Sequence, residues 1–119
     1  WLPKDQVLAL YGEYDLLFYP SLRDSGGFVV LEALQCGLPV VCFKLGGPGV
    51  VVDDSCGRAI SALPDTEATC EAFSLGVLSL LAQAGSDGQL SAACRLRSQQ
   101  FSWEQLVTRV VNNNFTQRV

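Results

Sequence analysis

The chain has 119 residues, 49% of them hydrophobic, with a formal net charge of −4 and no histidine. That length suits one small domain with a core, and the scattered lysines and arginines form no basic stripe, which argues against a nucleic-acid partner. No run of about twenty apolar residues is present to span a membrane, and the N-terminus lacks a signal-peptide layout.

Five cysteines, Cys36, Cys42, Cys56, Cys70 and Cys94, are an odd set without a paired short spacing. Neither a disulfide framework nor a zinc site is signalled, and a reducing, cytoplasmic compartment is expected. With no histidine to act as a base, a catalytic cysteine is not expected.

The elements begin with Pro3–Tyr11, a short amphipathic helix ending at Gly12, whose apolar stripe of Val7, Leu8, Leu10 and Tyr11 should pack on a sheet. An apolar run, Leu16–Tyr19, stops at Pro20. The loop Ser21-Leu22-Arg23-Asp24-Ser25-Gly26-Gly27 follows, then a helix-compatible run from Phe28 to Cys36. After Gly37-Leu38 comes a second apolar run, Pro39–Phe43. Neither run alternates, so both suit parallel strands buried on both faces.

The loop between them carries the chemistry. Adjacent glycines let backbone approach a ligand, and the first turn of a helix leaves amide hydrogens unpaired. With the helix dipole, those amides favour an anion, and the carboxyl edge of a parallel sheet is where ligands usually bind. A phosphate is the natural guest. The helix Phe28-Val29-Val30-Leu31-Glu32-Ala33-Leu34 is apolar nearly all round and should be buried on most faces, with Glu32 the exception. An unpaired carboxylate there is costly, and helical side chains lean toward the N-terminus, so Glu32 is aimed to grip a ligand hydroxyl.

Leu45-Gly46-Gly47-Pro48-Gly49 reads as a loop at the same sheet edge, facing the same crevice. Val50–Ser55 reads as a short helix or strand ahead of a turn. The adjacent Asp53 and Asp54 are a solvated turn rather than a metal site, since a hard cation needs several convergent oxygens. Pro64-Asp65-Thr66-Glu67 starts a helix running through Leu81, broken at Gly85–Gly88. Leu90, Ala93, Cys94 and Leu96 make another, and Phe101-Ser102-Trp103-Glu104 begins a third, with Ser102 as its N-cap and Phe101 bracing Leu106.

The pattern PSLRDSGGFVVLEALQCGLPVV, followed by GGPG, resembles the signature segment of retaining glycosyltransferases of family 4. Gly57-Arg58-Ala59-Ile60-Ser61 resembles that family's short strand after the turn, and the F-S-W segment its closing helix. The resemblance implies an α/β, Rossmann-like parallel sheet flanked by helices. Residues 1–119 would form a single domain, a fragment of the nucleotide-sugar-binding C-terminal domain of a two-Rossmann-domain enzyme. The reaction it implies transfers a sugar from a nucleotide-diphosphate sugar to an acceptor hydroxyl, with retention, no metal and no cofactor. The acceptor it suggests is lipid-linked or a polysaccharide, met at the inner membrane surface.

Residue by residue, the family's two acids fall on Asp24 and Glu32. Asp24 would be catalytic, accepting hydrogen bonds from sugar hydroxyls. Ser25, Gly26, Gly27, Phe28, Val29, Glu32, Gly46 and Gly47 would bind substrate, with amides of Gly27, Phe28 and Val29 on the sugar or diphosphate and Glu32 on the ribose. Two departures stand out: Asp24 is one methylene shorter than the usual glutamate, and Ser25-Gly26 replaces the usual Gly-Phe.

Plainer readings stay open. The glycines also fit a tight turn, Asp24 a helix-start or solvated loop acid, and Glu32 an internal ion pair with Arg23 or Arg58. A non-catalytic nucleotide-binding module, or an epimerase or phosphorylase of related architecture, would share the fold. The open edge of so small a sheet also invites self-association.

Overall fold

The structure, a computed structural model, describes residues 1–85 and 88–115, with the backbone alone at Phe115. Three strands, β1 (Leu17–Tyr19), β2 (Val40–Phe43) and β3 (Gly57–Ile60), form a parallel sheet in the order β1-β2-β3. Leu17 pairs with Val40 and Val40 with Gly57, so β2 is the central strand. Val40, Val41 and Cys42 are fully buried, which is why this strand reads as an unbroken apolar run.

Alternation along β2 divides the core. Val40 and Cys42 face a cluster containing Val30, Ala33, Leu34, Cys56 and Cys94. Val41 faces the other side, toward Phe73 and Leu80. The first cluster is covered by α2 (Phe28–Gln35) and α5 (Gln89–Gln99), and the second by α4 (Thr66–Ala84). This is the expected α/β, Rossmann-like layering of helices about a parallel sheet.

α2 has sharp ends. Gly27 precedes it at φ 67°, and Gly37 follows it at φ 79°. Beyond the helix, the Gly37 amide donates to Leu34 O and the Leu38 amide to Ala33 O, a Schellman closure that delivers the chain directly into β2. On α4, the Asp65 carboxylate caps the start by accepting from the Glu67 amide at 3.1 Å. Phe73 of α4 meets Phe43 edge-on, with centroids 4.7 Å apart. The expected break between α4 and α5 includes Ser86 and Asp87, which lie outside the described residues.

β1 is not buried on both faces as expected: it is an edge strand with no buried residue, and Phe18 is 52% exposed. Three further expectations need correction. The segment read as a Gly-Pro loop, Leu45–Gly49, is mostly helical: α3 spans Gly46–Val51 and takes in Val50 and Val51. Proline is tolerated in a first turn, and burial of Pro48 and Val51 outweighs the poor helix propensity of three glycines. Second, α1 (Lys4–Tyr11) has no buried residue and rests against α2 more than on the sheet. Third, α2 is not buried on most faces: Val30, Ala33 and Leu34 are, while Phe28 stays 67% exposed, because the start of α2 stands at the open corner of the fold.

α6 (Trp103–Phe115) begins as expected, with Ser102 Oγ accepting from the Gln105 amide at 3.3 Å. Its Trp103, Val107, Val110 and Val111 are exposed.

Candidate functional site at the carboxyl edge of the sheet

The corner is assembled around Asp24, five residues past the end of β1. Its Oδ1 accepts from the amides of Gly26 at 3.0 Å and Gly27 at 2.8 Å. Its Oδ2 accepts from the Tyr19 hydroxyl at 2.8 Å. Its backbone carbonyl accepts from the Gly47 amide at 2.9 Å. One residue thus joins the end of β1, the loop before α2 and the start of α3. The Gly27 amide, then the Tyr19 hydroxyl and the Gly26 amide, hold the Asp24 carboxyl below the usual 3.8, against a smaller opposing effect of burial. The same bond pushes the Tyr19 phenol up.

The two glycine segments meet backbone to backbone. A Cβ on Gly47 would lie 2.5 Å from the Gly27 nitrogen and 2.6 Å from the Gly26 carbonyl carbon. No side chain larger than hydrogen fits between them without moving backbone. This packing fixes the start of α2 relative to α3.

At that start the first intrahelical bond is donated by the Leu31 amide to Gly27 O at 2.9 Å. The amides of Phe28, Val29 and Val30, ahead of it, have no acceptor among the described residues. They are the orphan donors of a helix N-terminus, in a helix eight residues long. The Gly27 amide, expected in the same role, is engaged by Asp24, and the Gly47 amide by the Asp24 carbonyl.

Glu32 lies one turn further along α2. Its partner is neither Arg23 nor Arg58 but Lys4, at 3.5 Å, with side-chain exposures of 74% for Lys4 and 32% for Glu32. α1 supplies that lysine because it packs across α2. Arg58 instead bonds Ser79 and Gln83 on α4.

A cleft of about 410 Å³ opens beside the glycine segments. Ser25, Gly26, Phe28, Gly46 and Gly47 line it, so five of the expected site residues share one cavity. Asp24, Gly27, Val29 and Glu32 do not line it. Phe101, just ahead of α6, and Trp103 and Leu106 in its first turns also line the cleft and were not singled out for the site from the sequence. Tyr19 was also missed. The only signal for it was a phenol at the end of a strand, immediately before Pro20.

Arg97 of α5 supports the corner from behind. Its Nε donates to Val51 O at 2.8 Å and its Nη2 to Val50 O at 3.1 Å, capping the last carbonyls of α3. Asp53 sits 3.3 Å from Nε, and the guanidinium lies over the Phe101 ring at 4.9 Å.

Among the described residues, no three His, Cys, Asp or Glu side chains converge to hold a metal ion. Asp53 forms the solvated turn expected of it, accepting from the Ser55 amide at 3.0 Å. Cys42, Cys56 and Cys94 are buried in the core and Cys70 is exposed. Burial, with Cys56 nearby, pushes the Cys42 thiol up to about 11 and the Cys94 thiol up to about 12, so both behave as small apolar groups. Among the described residues, no single helix is long and apolar enough to cross a membrane.

A parallel three-stranded sheet flanked by helices, with its glycine segments at the carboxyl edge, defines an α/β, Rossmann-like unit. Residues 1–98 match the family described as glycosyl transferases group 1, and the chain belongs to that family. It is 37% identical over 103 residues to a D-inositol 3-phosphate glycosyltransferase of Salinispora tropica, covering 87% of this chain and 20% of that protein. It is 33% identical over 100 residues to the enzyme of that name in Rhodococcus jostii, covering 84% and 21%. It is 32% identical over 113 residues to O-antigen chain mannosyltransferase B of Escherichia coli, covering 94% and 28%. The chain spans between 20% and 28% of the length of these three relatives.

Proposed function

We propose that the chain forms part of the donor site of a retaining, hexosyltransferase-type glycosyltransferase, one that moves a sugar from a nucleotide-diphosphate sugar to an acceptor hydroxyl. The observation that carries this reading is the set of unpaired amides of Phe28, Val29 and Val30, at the carboxyl edge of the parallel sheet in a chain of this family. Fixed amide dipoles there would bind the donor diphosphate and stabilise the charge that grows on it as it leaves.

Glu32 would hold the ribose hydroxyls. Its ion pair with Lys4 is exposed on the lysine side, and such pairs contribute on the order of 1 kcal/mol or less, so a ligand can displace it at small cost. Ser25, Gly26, Gly46 and Gly47 would border the sugar, and Asp24 would accept from one of its hydroxyls. No metal or other cofactor enters this reading. A cyclitol phosphate or a growing polysaccharide is the acceptor class suggested by the names of the relatives, met in the cytoplasm at the inner membrane surface.

One observation favours a second reading, a nucleotide-binding module without turnover. The Asp24 carboxylate is already engaged by Gly26, Gly27 and Tyr19, and so leaves little capacity for a sugar.

The test is titration of the 119-residue chain with UDP, GDP, UDP-glucose and GDP-mannose, followed by amide NMR. Shifts centred on residues 26–32, weakened at least tenfold in Glu32→Gln, are expected; the preferred base names the donor class. Equal binding by the Glu32→Gln chain refutes the ribose role. Binding that ignores the sugar altogether favours the module.

A further inference from the structure

We propose that Tyr19 is a positioning residue for Asp24, its hydroxyl fixing the one acceptor position of that carboxylate left for a ligand hydroxyl; this rests on the donor-site reading above. An ionised carboxylate offers about four lone-pair positions. The Gly26 and Gly27 amides take two on Oδ1, and the Tyr19 hydroxyl takes one on Oδ2. One position remains, on Oδ2.

Tyr19 is suited to set its direction. It is the last residue of β1, paired with Cys42 of the central strand, and its ring packs against the cluster around Val30 and Val40. A phenol has only two side-chain torsions, and here the sheet and core hold the ring. The hydroxyl is therefore a fixed donor. Asp24 lies in a loop, and without the phenol only the two amides on Oδ1 would orient its carboxylate.

The consequence concerns the sugar and not the nucleotide. Phe28, Val29, Val30 and Glu32 do not depend on the Tyr19 hydroxyl, so a nucleoside diphosphate should bind the Tyr19→Phe chain as it binds the parent. A sugar nucleotide that uses the remaining Oδ2 position should not.

The experiment uses the 119-residue chain, its Tyr19→Phe and Asp24→Asn variants and the double variant, each checked for fold by its amide spectrum. Two quantities are read: the pH midpoint of the Asp24 carboxyl carbon in the parent and Tyr19→Phe, and the ratio of affinities for UDP-glucose over UDP and GDP-mannose over GDP. Tyr19→Phe should raise the midpoint and lower the sugar-to-nucleotide ratio about tenfold, the order expected for a charge-assisted hydrogen bond. In the Asp24→Asn background the same change should lower it no further.

An unmoved midpoint overturns the proposal by removing the bond. So does an unmoved ratio, or a further loss in the double variant, which would give Tyr19 its own contact with ligand. A parent chain that binds none of the four compounds overturns the donor reading itself and with it any ligand role of Tyr19, and the midpoint still reports separately whether the bond exists.

Discussion

Replacing Gly47 with alanine tests whether the two glycine segments are locked together as the geometry requires. The added Cβ would stand 2.5 Å from Gly27 N, 2.6 Å from Gly26 C and 2.8 Å from Ser25 O. All three are backbone atoms, so no side chain can swing aside. Either the loop before α2 or the start of α3 must retreat by several tenths of an ångström, and the Gly47 N–H to Asp24 O bond of 2.9 Å lengthens with it. Overpacking of a tight site costs about 1–3 kcal/mol, and a lost backbone hydrogen bond about 1 more, so destabilisation of about 2–4 kcal/mol is expected. Urea unfolding followed by circular dichroism measures it. Gly85→Ala is the control: among the described residues nothing lies within 4 Å of its Cβ and its φ is −80°, so it should be neutral or slightly stabilising. A Gly47→Ala chain as stable as the Gly85→Ala chain would refute the close packing of the two segments.

Arg97→Ala removes both caps on the α3 carbonyls and the stacking on Phe101, and should lower stability by about 2 kcal/mol, with Arg97→Lys recovering only part in the same unfolding assay. Acid should weaken the corner with a defined sign. Asp24, held down by the Gly27 amide and the Tyr19 hydroxyl, and Asp53, where Ser55 and Arg97 outweigh the upward push of burial, both have folded-state values below 3.8. Their contribution is present above about pH 4 and lost as the pH falls through the depressed values, so urea midpoints should fall below pH 4, less steeply in Asp24→Asn. With Ellman's reagent, the native chain should show one fast thiol, abolished in Cys70→Ser, and a slower one from the partly buried Cys36, while Cys42, Cys56 and Cys94 react only on unfolding. Several fast thiols would mean that the core opens readily.

Much of the fold was legible because its signals are local. Two unbroken apolar runs marked β1 and β2, Ser102 and Asp65 marked helix starts, and Gly37 followed by Leu38-Pro39 marked the turn into the central strand. The α3 helix was not legible: Gly46-Gly47-Pro48-Gly49 has the composition of a turn, and only burial of Pro48 and Val51 against the rest of the chain makes it helical. At the site, the glycines and Glu32 stood out as residue types at odds with their surroundings. Their partners did not, because Lys4 reaches Glu32 from another helix, and Phe101, Trp103 and Leu106 reach the cleft from more than fifty residues beyond the glycine segments.

By itself the sequence determined the class of fold, the family signature and the glycine-bearing corner proposed as the site, since periodicity, punctuation by glycine and proline, and an isolated acid in an apolar helix are all properties of short stretches. Tertiary structure alone decided how that corner is wired. Tyr19 reaches Asp24 because β1 ends beside the loop. The Gly27 amide is occupied because the Asp24 carboxylate folds back onto its own loop, and Arg97 braces α3 because α5 crosses behind it. The Arg97 contact joins residues 46 apart, whose nearness depends on the path of the whole chain and which no local pattern records; the Asp24 contacts span only five and three residues, and what decides them is the loop conformation, held from outside by the Gly47 amide on the Asp24 carbonyl.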